Sequence, residues 1–191
     1  RPRLPARAQT CAVMLLALAV TTGSAPLAWS YKCGNYSWAV AVSSDGRYVI
    51  AGSDDMHAYF FSTDSAEVKP LWSYTARGYV RHVAISSNGT YAAASDTDGS
   101  IFFFRPGVSG DPIWSFRADS SIDALAMSQD GDYLVAGDRK GAVYLLTAEG
   151  VGQPVWQHVI PGGILALSFS QSRILAVTST RGGLYFFGEV P

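Results

Sequence analysis

Few side chains in this sequence are suited to acid-base, metal or thiol chemistry, and their settings argue against a catalytic centre. His57 precedes an aromatic run, His82 stands at the start of an alternating apolar run, and His158 follows Trp156 by two residues. Three such different settings are not expected to converge on a metal ion or to make a general base. Asp45, Asp54, Asp55, Asp96, Asp98, Asp130 and Asp138 all fall in short polar stretches rich in Gly, Ser and Asn. Aspartate is favoured there because its carboxylate hydrogen-bonds nearby backbone N–H groups. Cys11 and Cys33 have neither metal-type spacing nor a disulfide framework. The glycines of "GQPVWQHVIPGG" lack the strand-to-helix setting of a phosphate loop. No catalytic residue, metal site, cofactor-binding residue or cofactor is therefore expected.

The elements that would position any site follow from a repeat. Trp29, Trp72, Trp114 and Trp156 stand 43, 42 and 42 residues apart, in "PLAWSY", "PLWSY", "PIWSF" and "PVWQH". Eleven residues after each comes an alternating run: "VAVS", "VAIS", "LAMS" and "LSFS". In three copies a tight turn follows, "SDGR", "SNGT" and "QDGD", where Gly46, Gly89 and Gly131 supply the positive φ of a hairpin. The fourth copy, "QSRI", is one residue shorter and has no glycine, which requires a different turn. A second strand ("YVIAGS", "YAAASD", "YLVAGD", "ILAVTS"), a polar turn and an aromatic strand ("AYFF", "IFFF", "VYLL", "LYFF") complete each unit before the next Pro-x-Trp strand.

Units of about 42 residues with four short antiparallel strands match the blades of a β-propeller. A lone four-stranded sheet has two apolar faces and can hide neither, so neighbouring copies must cover them. The expected fold is all-β, a propeller with four visible four-stranded blades, as part of a larger ring. Its repeats span about 26–62, 70–105, 112–147 and 154–188 within a domain at 26–191. A closed ring of four blades, with the Trp29 strand docking onto Ile164–Phe187, is the alternative. Ala41, Ala84 and Ala126 suit the crowded inner strands, and Trp72, Trp114 and Trp156 the wider outer gap.

The "SxDGxYxxAG" phrase at Ser43–Gly52 and Ser128–Gly137 resembles the first hairpin of WD repeats, while a Trp on the outer strand resembles the repeats of pyrroloquinoline-quinone (PQQ) propellers. The Gly-His pair and the Trp-Asp dipeptide of WD repeats are absent. The resemblance implies a WD-repeat-like or quinoprotein-like propeller that binds a protein or small ligand near its central channel. Trp38, Arg81 and Asp123, with Leu165 in the fourth copy, occupy one equivalent place at the start of the innermost strand, and they are the expected recognition residues. The plainer alternative pairs Arg81 with Asp123 and tucks Trp38 under a loop.

Composition narrows the partners. The chain is 48% hydrophobic and 15% charged, which excludes a disordered polyelectrolyte. Without Arg1, Arg3 and Arg7 it holds 11 basic and 15 acidic residues, leaving no basic stripe for nucleic acid. Those arginines precede the apolar run "CAVMLLALAV" and the small-residue stretch "TTGSA", the layout of a signal peptide over 1–25. The apolar run is too short for a stable membrane span. An exported, non-catalytic propeller serving as a binding platform, in a secreted, periplasmic or cell-surface location, is the expectation. A fragment of a PQQ-type quinoprotein dehydrogenase or other propeller enzyme is the alternative.

Overall fold

A computed structural model describes residues 27–65, 67–170 and 172–189. The chain divides into Arg1–Ser30 and Tyr31–Pro191. In the first unit the described residues, 27–30, are irregular, so Trp29 stands in no strand. The expected leader at 1–25 lies outside the described residues.

Among its described residues the second unit is all-β, with fifteen strands in four antiparallel sheets arranged as propeller blades. The first sheet joins β1 (Ser37–Val42), β2 (Tyr48–Ser53), β3 (His57–Ser62) and β4 (Trp72–Thr75) in chain order. The second joins β5 (Val80–Ile85), β6 (Ala92–Asp96), β7 (Ser100–Phe104) and β8 (Pro112–Arg117), and the third joins β9 (Ile122–Met127), β10 (Tyr133–Asp138), β11 (Ala142–Thr147) and β12 (Trp156–Val159). The fourth contains β13 (Ile164–Phe169), β14 (Leu175–Ser179) and β15 (Leu184–Phe187), three strands among the described residues. Inner strands pack in series, β1 on β5, β5 on β9 and β9 on β13, but no comparable packing returns from β13 to β1. The blades therefore form an open arc, and the closed four-bladed alternative does not hold.

Turn chemistry sets the hairpins. In the first three blades Gly46, Gly89 and Gly131 have φ of 73°, 70° and 86°. Ahead of each, a serine hydroxyl accepts a backbone N–H five residues on, from Tyr48, Tyr91 and Tyr133 at 3.0 Å. The Ser43 and Ser128 hydroxyls also donate to Asp45 and Asp130, holding both carboxyls below the usual carboxylate range. In the glycine-free fourth turn Arg173 itself takes a φ of 56°. Its guanidinium donates to Glu189 at 2.6 Å and lies over the Tyr133 ring. These turns also link the blades: the Ser44 N–H donates to the Ser87 carbonyl, and the Ser87 N–H to the Gln129 carbonyl, each at 2.8 Å.

The apolar cores lie between sheets. Ile50, Ala58 and Phe60 of the first blade pack with Ala92, Ala94, Phe102 and Phe104 of the second. Ala93, Ile101 and Phe103 meet Leu134, Ala136 and Tyr144 of the third, whose Val135, Val143 and Leu145 meet Leu175 and Val177 of the fourth. Trp72 stacks on Phe60 within its blade and reaches Phe104 of the next, both at 5.0 Å. Trp114 stacks on Phe103 at 4.6 Å and donates its indole N–H to the Ala148 carbonyl of the following blade at 3.2 Å. Trp156 meets Phe187 of the fourth blade edge-on at 5.2 Å. Close approach of the inner strands explains Gly52, where an added Cβ would lie 2.7 Å from the Val80 carbonyl oxygen of the next blade. Tyr31 packs on Tyr59 and Phe61 of the first blade at 5.6 and 5.0 Å, much as the outer-strand Tyr74 packs on Phe102 and Phe104 of the second.

Candidate functional site

The variable place in the inner strand is a bulge. Pairing of β1 with β2 shifts between Ser37 and Ala39, and pairing of β5 with β6 between Val80 and His82. The β9 partners jump from Ala124 to Ile122, and the β13 pairing shifts between Ile164 and Ala166. Trp38, Arg81, Asp123 and Leu165 are thus the four extra residues, one per blade. A bulge frees its residue from the in-out alternation of the strand and re-aims the side chain. That is why the position changes type freely while Ala41, Ala84 and Ala126 stay small.

Trp38 and Arg81 come together. The Arg81 guanidinium carbon lies 4.6 Å from the Trp38 ring centroid and 5.6 Å from that of Tyr79. Its fork donates to both oxygens of Asp54 in the preceding blade, Nε at 3.2 Å and Nη2 at 3.3 Å. The carboxylate fixes the guanidinium plane against the indole, yet Trp38 remains 57% exposed. Asp123 is not Arg81's partner. It accepts the Nε and Nη2 of Arg139 at 3.0 Å each, and this pair helps to keep Arg139 protonated. The Arg81–Asp123 ion pair considered from sequence is replaced by two separate pairs, and Trp38 is open rather than tucked under a loop. His82 lies half-buried beside Arg81 in sequence, and burial holds its pKa below the ordinary value against the opposing pull of Asp123. Leu165 is 58% exposed.

The sequence shows Asp54 only as a turn residue and does not pair Arg139 with Asp123. Asp54 and Arg139 hold equivalent places in the turn between the second and third strands, with opposite charge, and that reversal at a repeat-equivalent position was the signal that could have found them. Other carboxylates in these turns are structural. Asp55 accepts from the Gly34 N–H, the His57 N–H and the Tyr59 hydroxyl. Asp96 accepts from the N–H groups of Gly78, Asp98 and Ser100.

The histidines stay apart in role. His57 bonds Thr75 at 3.0 Å across β3 and β4, which cross-links the outer sheet, and His158 stacks on Trp156. Among the described residues no three His, Cys, Asp or Glu side chains gather as metal ligands would. No described helix is long and apolar enough to cross a membrane.

The sequence profile of the "WD domain, G-beta repeat" family matches residues 31–62, 68–105 and 110–145. The chain belongs to the WD40 repeat family. Solved structures agree with this fold for the WD40 chain. A chain of the "Mitotic Checkpoint Complex" superposes with a TM-score of 0.73 at 18% identity, covering 85% of this chain and 50% of that one. The "RRP9 WD40 repeats" superpose with a TM-score of 0.70 at 15% identity, covering 83% and 52%. This WD40 chain thus spans about half the length of those structures. No curated protein sequence matches it at a significant level. The three matched segments of the WD40 profile contain the first three bulges with Trp38, Arg81 and Asp123, and Leu165 lies beyond them.

Proposed function

We propose that this WD40 chain is a non-catalytic platform that grips a partner protein through the bulge residues Trp38, Arg81 and Asp123, flanked by Leu165. The observation that carries this reading is the exposed indole held against a guanidinium whose orientation is already fixed by Asp54. Aromatic and arginine side chains dominate binding energy at interfaces, and a pre-ordered pair loses less entropy on docking. One neighbour of the fold belongs to a Mitotic Checkpoint Complex, a setting in which a propeller works among other proteins. The test is quantitative cross-linking and mass spectrometry in extract with wild type, Trp38→Ala and Arg81→Glu. Proteins cross-linked near β1 and β5 should fall about tenfold or more in either variant, consistent with loss of about 2 kcal/mol at an interface anchor. The melting temperature of Trp38→Ala should hold. An unchanged set of cross-links in both variants would overturn the proposal.

The proposal extends to an extracytoplasmic location, supported by Arg1, Arg3 and Arg7, the apolar run from Cys11 and the small-residue stretch ending at Ala25. Residues 1–30 fused to a reporter should direct export and be cut near Ser24, as read from the N-terminal mass of the secreted product. An uncut reporter retained in the cytosol sinks this part alone.

A further inference from the structure

A second site lies outboard of the bulges, between the first two blades. One wall is the face of β7 and β8 that looks back at the first blade. The register pairs Ser100 with Arg117 and Phe102 with Ser115, which brings these four residues onto that face. Tyr74 and Arg77, from the end of β4 and the loop after it, form the opposite wall of a cleft of about 390 Å³.

The repeat explains why the cleft is here. At the same four places the third blade carries Ala142, Tyr144, Gln157 and Val159, with neither a cation nor a hydroxyl of serine. Tyr59 and Tyr144, the counterparts of Phe102, each donate a phenol to a turn carboxylate of their blade, the half-buried Asp55 and the buried Asp138. Phe102 has no hydroxyl to place there, so Asp96 is satisfied by backbone N–H groups alone.

The charges around the cleft are unbalanced. Arg47, Arg81, Arg139 and Arg173 each have a carboxylate partner. Arg77 and Arg117 make no ion pair or hydrogen bond among the described residues, nor do the hydroxyls of Ser100 and Ser115. Of the two carboxylates that act on Tyr74, Asp96 is buried under its three N–H donors, and Asp111 accepts from the Ser109 hydroxyl. Burial, followed by Asp111 and Asp96, raises the Tyr74 phenol above its ordinary pKa, so it is an O–H donor at neutral pH.

We propose that this inter-blade cleft binds a phosphate monoester. Two forked guanidiniums from facing walls match a dianion with three terminal oxygens, and the serine and tyrosine hydroxyls supply further donors. The volume is at the small end of ligand pockets and accommodates a phosphate with a short attached fragment. Both a phosphoserine on a peptide and a free phosphorylated small molecule present this chemistry.

The experiment is calorimetric titration of the whole chain with three probes: a five-residue peptide with a central phosphoserine, the same peptide unphosphorylated, and inorganic phosphate. The phosphopeptide should bind, inorganic phosphate should compete, and the unphosphorylated peptide should not bind. Arg77→Ala and Arg117→Ala should each weaken binding by about tenfold to a hundredfold, the effect of losing a charged hydrogen-bond pair. Phe102→Tyr, which restores the residue found at this place in the other blades, should close the cleft and abolish binding without lowering the melting temperature. Arg81→Ala should leave binding unchanged, which separates this cleft from the surface of the bulges. A phosphopeptide bound about tenfold or more tighter than inorganic phosphate identifies a peptide-borne ligand, and near-equal binding a free one. No binding of either phosphate probe, equal binding of both peptides, or indifference to both arginine substitutions would overturn the proposal.

Discussion

Trp114→Ala should lower the unfolding free energy by about 3–5 kcal/mol, the range for truncating a buried large aromatic. The indole is 7% exposed, stacked at 4.6 Å and 6° on Phe103, and bonded through Nε1 to the Ala148 carbonyl. Removing it opens a cavity at the boundary of the second and third blades and leaves a carbonyl without its donor. A blade is held only by its neighbours, so damage at one boundary affects the whole arc. Conservative substitutions separate packing from hydrogen bonding. Trp72 has the same outer-strand place, but its buried Nε1 has no acceptor. Trp72→Phe should therefore be nearly neutral, because it removes an unsatisfied donor along with part of the ring. Trp114→Phe should cost about 1–2 kcal/mol more, the value of a buried hydrogen bond with its orphaned partner. Urea denaturation of the three variants, read as midpoint shifts at constant slope, measures both differences. Equal costs for the two Trp→Phe changes would contradict the role given to Ala148.

What could be read from the sequence was what repeats. Equal spacing of the tryptophans, the Asp-Gly and Asn-Gly turns and the small inner-strand residues all arise from interactions that each blade makes in the same way, so the period exposed them. The missing glycine of "QSRI" was legible too, although only the structure shows Arg173 taking the left-handed conformation, held by Glu189. The residues proposed for recognition were visible because position 38 and its counterparts vary against a constant frame. Their bulged geometry was not visible, because a bulge depends on the register with the neighbouring strand, which a one-dimensional pattern does not contain. Partners of the bulge residues were hidden for a related reason. Asp54 sits among turn residues whose local chemistry already accounts for an aspartate, and its contact with Arg81 crosses from one blade to the next. Trp29 shows the opposite error. Its motif matches the other outer strands, but the described residues 27–30 are irregular.

Aspartates of one blade can be sorted into framework and surface groups by what each accepts, and the sorting predicts a second large effect. Asp138 is 1% exposed and accepts the N–H groups of Lys140 and Ala142 at 2.9 and 2.8 Å and the Tyr144 hydroxyl at 3.2 Å. Asp138→Ala strands three donors in the interior and should cost about 3 kcal/mol or more, since each buried unsatisfied group costs about 1–3 kcal/mol. Asp138→Asn should recover only part of this, because an amide offers one acceptor oxygen and turns a second donor toward donors. Tyr144 gives an independent readout. Burial, and after it Asp138, pushes its phenol pKa up to about 12. In Asp138→Asn the phenol should titrate at lower pH while remaining above its ordinary value, because burial is unchanged. Absorbance near the phenolate band follows this directly. Asp123 lies at the other extreme. Its partner Arg139 has a side chain 69% exposed, so Asp123→Ala should cost at most about 1 kcal/mol, as exposed ion pairs do. Two carboxylates in one blade, each bonded to well-placed donors, should thus differ severalfold in their effect on stability. The weaker one is free to serve recognition because folding does not depend on it. If Asp123→Ala destabilised the chain as strongly as Asp138→Ala, the bulge would have to be counted as part of the framework.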